Sequence, residues 1–192
     1  MIHLPLPLVI LAGGKSSRMG SDKALLPFGA FTTLTEFQIN RLQPHFETLH
    51  VSCKDHAKFS FDASFIEDIP TYQQSSPLIA LLSILEYLRT PVCVLSVDTP
   101  FVTPDVFQKL YHMMPHENSD AVIARSPFGS HPLCAIYAPS ITPNIKQMLQ
   151  NNEHKIGNLL HASKTLYHDF EEDAPFFNVN HPEEYTQAKG LL

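Results

Sequence analysis

A short apolar run, residues 6–12, stops at Gly13-Gly14 and gives way at once to the charged stretch Lys15 to Lys23. Few structures are open to such a run. It is too short for a core helix, and glycine bounds it, so it reads as a strand buried on both faces. Strands of that kind belong to sheets covered by helices on both sides. The remaining chain supplies both partners. Further strands are predicted over residues 49–53, 64–66, 91–97, 121–124 and 133–137, with a weaker one at 165–169. Between them lie helical patterns at 33–42, 141–149 and 156–161. Residues 77–88 carry a leucine stripe at helical spacing. Thr103-Pro104-Asp105 starts another helix, reaching about Met113, with threonine as cap, proline in the first turn and an early acid. Residues 180–184 start a last helix by the same signals. This alternation predicts an α/β chain with a Rossmann-like three-layer fold and a mostly parallel central sheet. The 192 residues, without repeat or linker, suit a single domain spanning residues 1–192.

Composition narrows the function classes. Hydrophobic residues make up 44% and charged residues 17%, enough for a sizeable core. The net charge is −6 and no lysine- or arginine-rich block occurs, which argues against a nucleic-acid partner. A phosphate ligand would have to be held locally, by amides, a few cations and a metal. Cys53, Cys93 and Cys134 are widely spaced in apolar runs and read as reduced core thiols. No segment approaches the ~20 apolar residues of a membrane span, so no membrane contact and a cytoplasmic location are expected. Eleven histidines form no H-E-x-x-H or compact ligand set.

Open sheets of this class bind ligands beyond the carboxyl ends of their strands. After the first strand comes L-A-G-G-K-S-S-R-M-G-S-D-K, residues 11–23. Its glycines allow close approach, its amides can converge on phosphate oxygens, and Arg18 and Lys23 add positive charge. It is not a Walker A loop, because Val9 stands where that motif needs glycine, and G-x-G-x-x-G is absent too. After the strand at 91–97 comes Asp98. Magnesium takes one or two carboxylates and completes its octahedron with water and substrate phosphates, so Asp98 is a candidate Mg²⁺ ligand. The competing reading, a helix cap, is weakened because Thr103 already offers one.

The run of residues 11–26 resembles the signature of the molybdopterin nucleotidyltransferase family. Four later segments agree in order with its guanylyltransferases: F-I-E-D (65–68), V-D-T-P-F (97–101), H-P-L-C-A-I-Y (131–137) and F-F-N-V-N-H-P-E-E (176–184). The resemblance implies transfer of GMP from GTP to molybdopterin with release of pyrophosphate. It implies that Leu11, Ala12, Gly13 and Gly14 line the nucleotide, that Lys23 and Arg18 pair with phosphates, and that Asp98 holds Mg²⁺. Asp68 is expected to contact the guanine base, with Ser52 beside it. His131 and Pro132 are expected on the pterin side, and Asn178 and Asn180 near the metal or the pterin. Transient contact with a molybdenum-insertion or acceptor protein is implied as well. The chain departs from the family pattern at Ser76-Pro77-Leu78, where Gly-Pro-Leu is usual, and at Ser52-Cys53-Lys54, where an asparagine is usual. Cytidylyl transfer, sugar-phosphate nucleotidyl transfer and nucleotide binding without turnover are the alternatives. Retention of both Lys23 and Asp98 speaks against the last.

Overall fold

The computed structural model describes residues 2–14, 20–72 and 75–192, and the side chains of residues 115–117 lie outside the description. One sheet runs through the described residues: β1 (Leu8–Leu11), β2 (Leu49–Cys53), β3 (Phe65–Glu67), β4 (Val92–Ser96), β5 (Ala121–Ser126), β6 (Gly129–Tyr137) and β7 (Thr165–Asp169). Their spatial order is β3-β2-β1-β4-β6-β5-β7. Every pairing is parallel except those of β6, which is antiparallel to both β4 and β5. The helices are α1 (Leu34–Leu42), α2 (Pro77–Leu88), α3 (Pro104–Glu117), α4 (Thr142–Gln150), α5 (Ile156–His161) and α6 (Pro182–Lys189).

Strand alternation sorts the core into layers. Val9 of β1 packs with α2, α4 and α5 on one face. Leu8 and Ile10 point to the other face, where Leu34 and Leu42 of α1, Phe107 and Leu110 of α3, and Ala188 of α6 cover the sheet. The three expected layers are therefore present. None of the described helices is long and apolar enough to cross a membrane.

Local signals account for most boundaries. Thr33 Oγ1 accepts the Glu36 amide at 3.0 Å and opens α1. Ser76 caps α2 ahead of Pro77, and Arg89 closes it in the left-handed region at φ 54°. The helix after Thr103 differs from expectation in two ways. Thr103 occupies the cap position, but its hydroxyl makes no capping bond, so Pro104 and the packing of Phe107 and Leu110 hold that end. The helix also continues past Met113 to Glu117, and Asn118, at φ 48°, ends it.

Strand β6 begins at Gly129, four residues earlier than the pattern predicts, because it is broken by a bulge. Ile123 pairs with Ala135, yet the next residue, Ala124, pairs with His131. Pro132, Leu133 and Cys134 are thus extra on β6. The buried Tyr137 hydroxyl donates to the Pro132 carbonyl at 2.8 Å and holds the distortion in place. Bulges of this kind re-aim side chains beside functional clefts.

Candidate active site

The chain leaves β1 to build β2 and β3 on one side and returns to place β4 on the other. The strand order reverses between β1 and β4, so their carboxyl ends diverge and leave a crevice. Leu11 lies level with Ser52 on one neighbour and Ser96 on the other. The crevice begins one residue further on. One cavity of about 230 Å³ is lined by Leu11, Gly13, Gly14, Ser52, Asp68 and Ser76 among others. A second cavity of about 230 Å³ is lined by Asp98, His131, Pro132, Asn178 and Asn180 among others. Ser96 and Leu133 line both. The expected site residues thus fall into two adjoining compartments.

In the glycine loop, residues 15–19 lie outside the described residues, and with them the expectation for Arg18. Gly13 and Gly14 do not have positive φ, so the unusual-backbone reading fails for this pair. A Cβ on Gly14 would meet no protein atom within 4 Å, although Gly14 lines the first cavity. Its missing side chain therefore leaves room for a ligand. Gly14→Ala is expected to change unfolding free energy by less than about 1 kcal/mol, yet to weaken GTP binding, as calorimetric titration beside thermal melting would reveal. Gly20 is different, since its φ of +69° does call for glycine. Ala12 is buried and its carbonyl accepts from Lys58 Nζ at 2.7 Å. Lys58 also binds Asp22 Oδ2 at 2.7 Å, while Asp22 Oδ1 caps Ala24 N at 3.0 Å. Lys58, which no motif singled out, ties both ends of the loop together.

Lys23 Nζ lies 2.6 Å from Asp98 Oδ2 and 2.9 Å from Asn180 Oδ1. Ser96 Oγ donates to Asp98 Oδ1 at 2.6 Å. The Val179 amide donates to the Asp98 carbonyl at 2.8 Å, which docks the Asn178–Asn180 segment against the end of β4. Glu184 accepts from the Asn180 and His181 amides at 2.6 and 2.9 Å and braces that segment from α6. Without nucleotide, then, the lysine expected on the phosphates sits on the acid. Oxygen donors from Asp98 and Asn180 converge on one cationic point. No second carboxylate joins them among the described residues, the one other acid–histidine triple being exposed at Asp55, His56 and Glu67. A single carboxylate with amide oxygens, open toward a phosphate cleft, suits a hard divalent ion whose remaining ligands are phosphate and water.

Asp68 follows β3, its amide held by the Cys53 carbonyl at 3.1 Å. Its Oδ1 is buried and has no partner. Burial pushes the carboxyl above its ordinary range, with Lys54 pulling weakly the other way. An unpaired buried carboxylate oxygen is costly unless a ligand supplies a donor. Ser52 is buried beside it, lining the same cavity. Ser76, at the family's glycine position, is used locally: its Oγ accepts from the Ile79 amide at 3.4 Å and contacts His154 Nδ1 at 3.1 Å.

A family model described as "MobA-like NTP transferase domain" matches residues 8–166. The chain belongs to the MobA-like NTP transferase family. A relative in Campylobacter jejuni (strain RM1221), named molybdenum cofactor guanylyltransferase, is 40% identical over 96% of this chain and 95% of its own. A Helicobacter pylori (strain G27) protein of the same name is 28% identical over 97% and 93%. The solved structure of "Molybdopterin-guanine dinucleotide biosynthesis protein A" from Archaeoglobus fulgidus superposes with a TM-score of 0.84 at 24% identity, covering 97% of this chain and 98% of that one. A cytidylyltransferase from Thermus thermophilus, acting on 2-C-methyl-D-erythritol 4-phosphate by its title, superposes at 0.72 with 18% identity and 98% coverage of both chains. The last two share the fold, and the expected fold class is borne out. The MobA-like match ends at residue 166, before the Asn178–Asn180 segment, which reaches the crevice through the Val179–Asp98 bond.

Proposed function

We propose that this MobA-like protein transfers GMP from GTP to molybdopterin and releases pyrophosphate, in molybdenum cofactor biosynthesis. Nucleotidyl transfer follows from the family, and the guanylyl and pterin assignments follow the named relatives at 28–40% identity. The observation that carries the reading is the buried, unpartnered Asp68 oxygen in the compartment next to the Lys23–Asp98 pair. Guanine offers adjacent N1–H and amine donors to such a carboxylate. Cytosine offers an amine beside a ring-nitrogen lone pair, which a carboxylate repels. Asp68 therefore favours GTP over the cytidylyl alternative.

In this reading Leu11, Ala12, Gly13 and Gly14 flank the nucleotide, Ser52 and Asp68 take the base, and the compartment of His131, Pro132 and Asn178 takes the pterin. The terminal phosphate of the pterin attacks the α-phosphorus of GTP. A new P–O bond forms as the bond to the β-phosphate breaks and pyrophosphate leaves. A phosphate monoester has a second pKa of ~6 and is mostly dianionic at neutral pH, so no general base is needed. Two anions must instead be brought together, and that is a task for positioning and fixed positive charge. Lys23 leaves Asp98 for the phosphates and neutralises charge on the departing pyrophosphate. Arg18 assists it. Asp98, with Asn180 beside it, would hold Mg²⁺, which supplies charge neutralisation at the phosphates when bound.

Exchange of Lys23 for metal at Asp98 has a measurable consequence. Lys23→Met frees the carboxylate, so Mn²⁺ alone should bind the nucleotide-free variant more tightly than the unaltered protein, by about tenfold in an electron paramagnetic resonance titration. Equal affinities would remove Lys23 as the competing cation. The base assignment is tested by thermal stabilisation with Mg²⁺ and nucleotide. GTP at 100 times its Kd should add ~2.7 kcal/mol. Stabilisation by CTP and not by GTP would overturn it.

A further inference from the structure

Behind His131 lies a chain of polar groups with no part in the roles above. His131 stands at the edge of the β6 bulge and lines the compartment of Asp98, Asn178 and Asn180. Its ring stacks on buried Phe176, with centroids 4.2 Å apart and planes 8° apart. Its Nε2 lies 2.8 Å from Ser126 Oγ. Ser126 is buried and donates its hydroxyl hydrogen to Asp173 Oδ1. Asp173 Oδ1 is 3.9 Å from His131 Nε2, too far for a direct bond. Residues 171–173 read from sequence as a solvated turn. Asp173 departs from that, because its carboxylate is turned inward to Ser126 and does not cap the 3-10 turn it precedes.

The inventory of hydrogens decides the imidazole's state. A serine hydroxyl has one hydrogen, and an ionised carboxylate only accepts. The Ser126 hydrogen goes to Asp173, so Ser126 Oγ is left as acceptor toward His131, and Nε2 must carry a hydrogen. Burial holds the imidazole below its usual pKa, against the opposing pull of Asp173, which favours the neutral ring. In the neutral ring Nδ1 then carries a lone pair. No described residue partners that atom.

We propose that Ser126 and Asp173 lock His131 as its Nε2–H tautomer, so that Nδ1 accepts a hydrogen bond from a ring N–H of the molecule that receives the nucleotide. The proposal rests on the pterin reading above and extends it to three named residues. A lone pair at this point repels phosphate oxygens, which Lys23 draws elsewhere, and selects a heterocycle with an N–H donor. Ser126 and Asp173 are positioning residues; His131 makes the contact.

The test has two arms. In the first, long-range ¹H–¹⁵N correlation on the nucleotide-free protein reads the His131 tautomer. The Nε2–H form is expected alone in the unaltered protein. Asp173→Ala leaves Ser126 free to donate to Nε2 and should give a mixture with the Nδ1–H form, while Asp173→Asn, whose amide oxygen still accepts, should restore it. In the second arm, His131→Phe, which keeps the stack on Phe176, should raise KM for the pterin about tenfold with KM for GTP unchanged. Asp173→Ala should move the same constant in the same direction. A mixed or Nδ1–H tautomer in the unaltered protein, or equal changes in both KM values, overturns the proposal. Absence of any GMP transfer by the unaltered protein would instead overturn the function proposed above, and the tautomer arm still decides the relay.

Discussion

Asp98→Asn is expected to lower guanylyl transfer by at least about 10³-fold at saturating Mg²⁺ while the protein stays folded. The carboxylate touches three groups: Lys23 at 2.6 Å, Ser96 at 2.6 Å and, through its backbone, Val179. Only the first depends on charge. Asparagine keeps an oxygen for Ser96 and leaves the backbone bond intact, so the docking of the Asn178–Asn180 segment survives. Loss of a charge-assisted hydrogen bond costs about 1–3 kcal/mol, against the ~5–15 kcal/mol of a typical domain. The side chains of Lys23 and Asp98 are each 16% exposed, so water reaches the pair and the cost falls at the lower end. Turnover suffers far more, because the negative charge that anchors a divalent ion against the triphosphate is gone. Steady-state transfer assays beside a thermal melt separate the two effects. Near-normal turnover would remove Asp98 from the metal role.

The second large effect concerns Asp68. Asp68→Asn should lower kcat/KM for GTP by about 10²-fold, since one donor–acceptor contact becomes a donor–donor clash. The nucleotide-free variant should be as stable as the unaltered protein, or slightly more so. The reason is the sign of the pKa shift. Burial raises the Asp68 carboxyl above its ordinary value, so the folded chain disfavours the ionised form. That penalty is absent below the ordinary value of ~3.9. It builds as pH rises to the elevated pKa and is fully present above it. Substitution removes it, so any stability gain should appear at neutral pH and vanish in acid. Guanine binding needs the ionised form, so GTP affinity should fall as pH drops through the raised pKa, and the variant should lack that limb. Inosine triphosphate, without the exocyclic amine, gives an independent reading. It should bind the unaltered protein more weakly than GTP, and Asp68→Asn should shrink the difference. A variant with unchanged preference for GTP over ITP would take the base contact away from Asp68.

Much of this protein was legible in the chain. The strands at 49–53 and 165–169 and the helices at 77–88 and 156–161 lie where pattern and caps predict them. Their signals are local: apolar runs of strand length, a leucine stripe at helical spacing, and serine before proline. The glycine loop and the acid after β4 were visible too, because open parallel sheets place ligands beyond those strand ends. What sequence spacing could not show is mutual orientation. Lys58 carries no motif, and its hold on Ala12 and Asp22 exists only once β2 lies beside β1. The bulge in β6 is a mismatch between two strands, so neither strand's own pattern contains it. Asp173 reads as one of three acids in a turn until Ser126, 47 residues earlier, is brought against it.

The sequence by itself determined the layered α/β fold, because period and capping are properties of neighbouring residues. It also determined the chemical kind of the site, since a glycine-rich loop after one strand and an acid after another follow from local order. Tertiary structure alone decided which groups meet: Lys23 with Asp98 rather than with open solvent, Asp68 with an oxygen left unpaired, and His131 with a fixed tautomer. These are contacts between residues distant in the chain, and packing settles them.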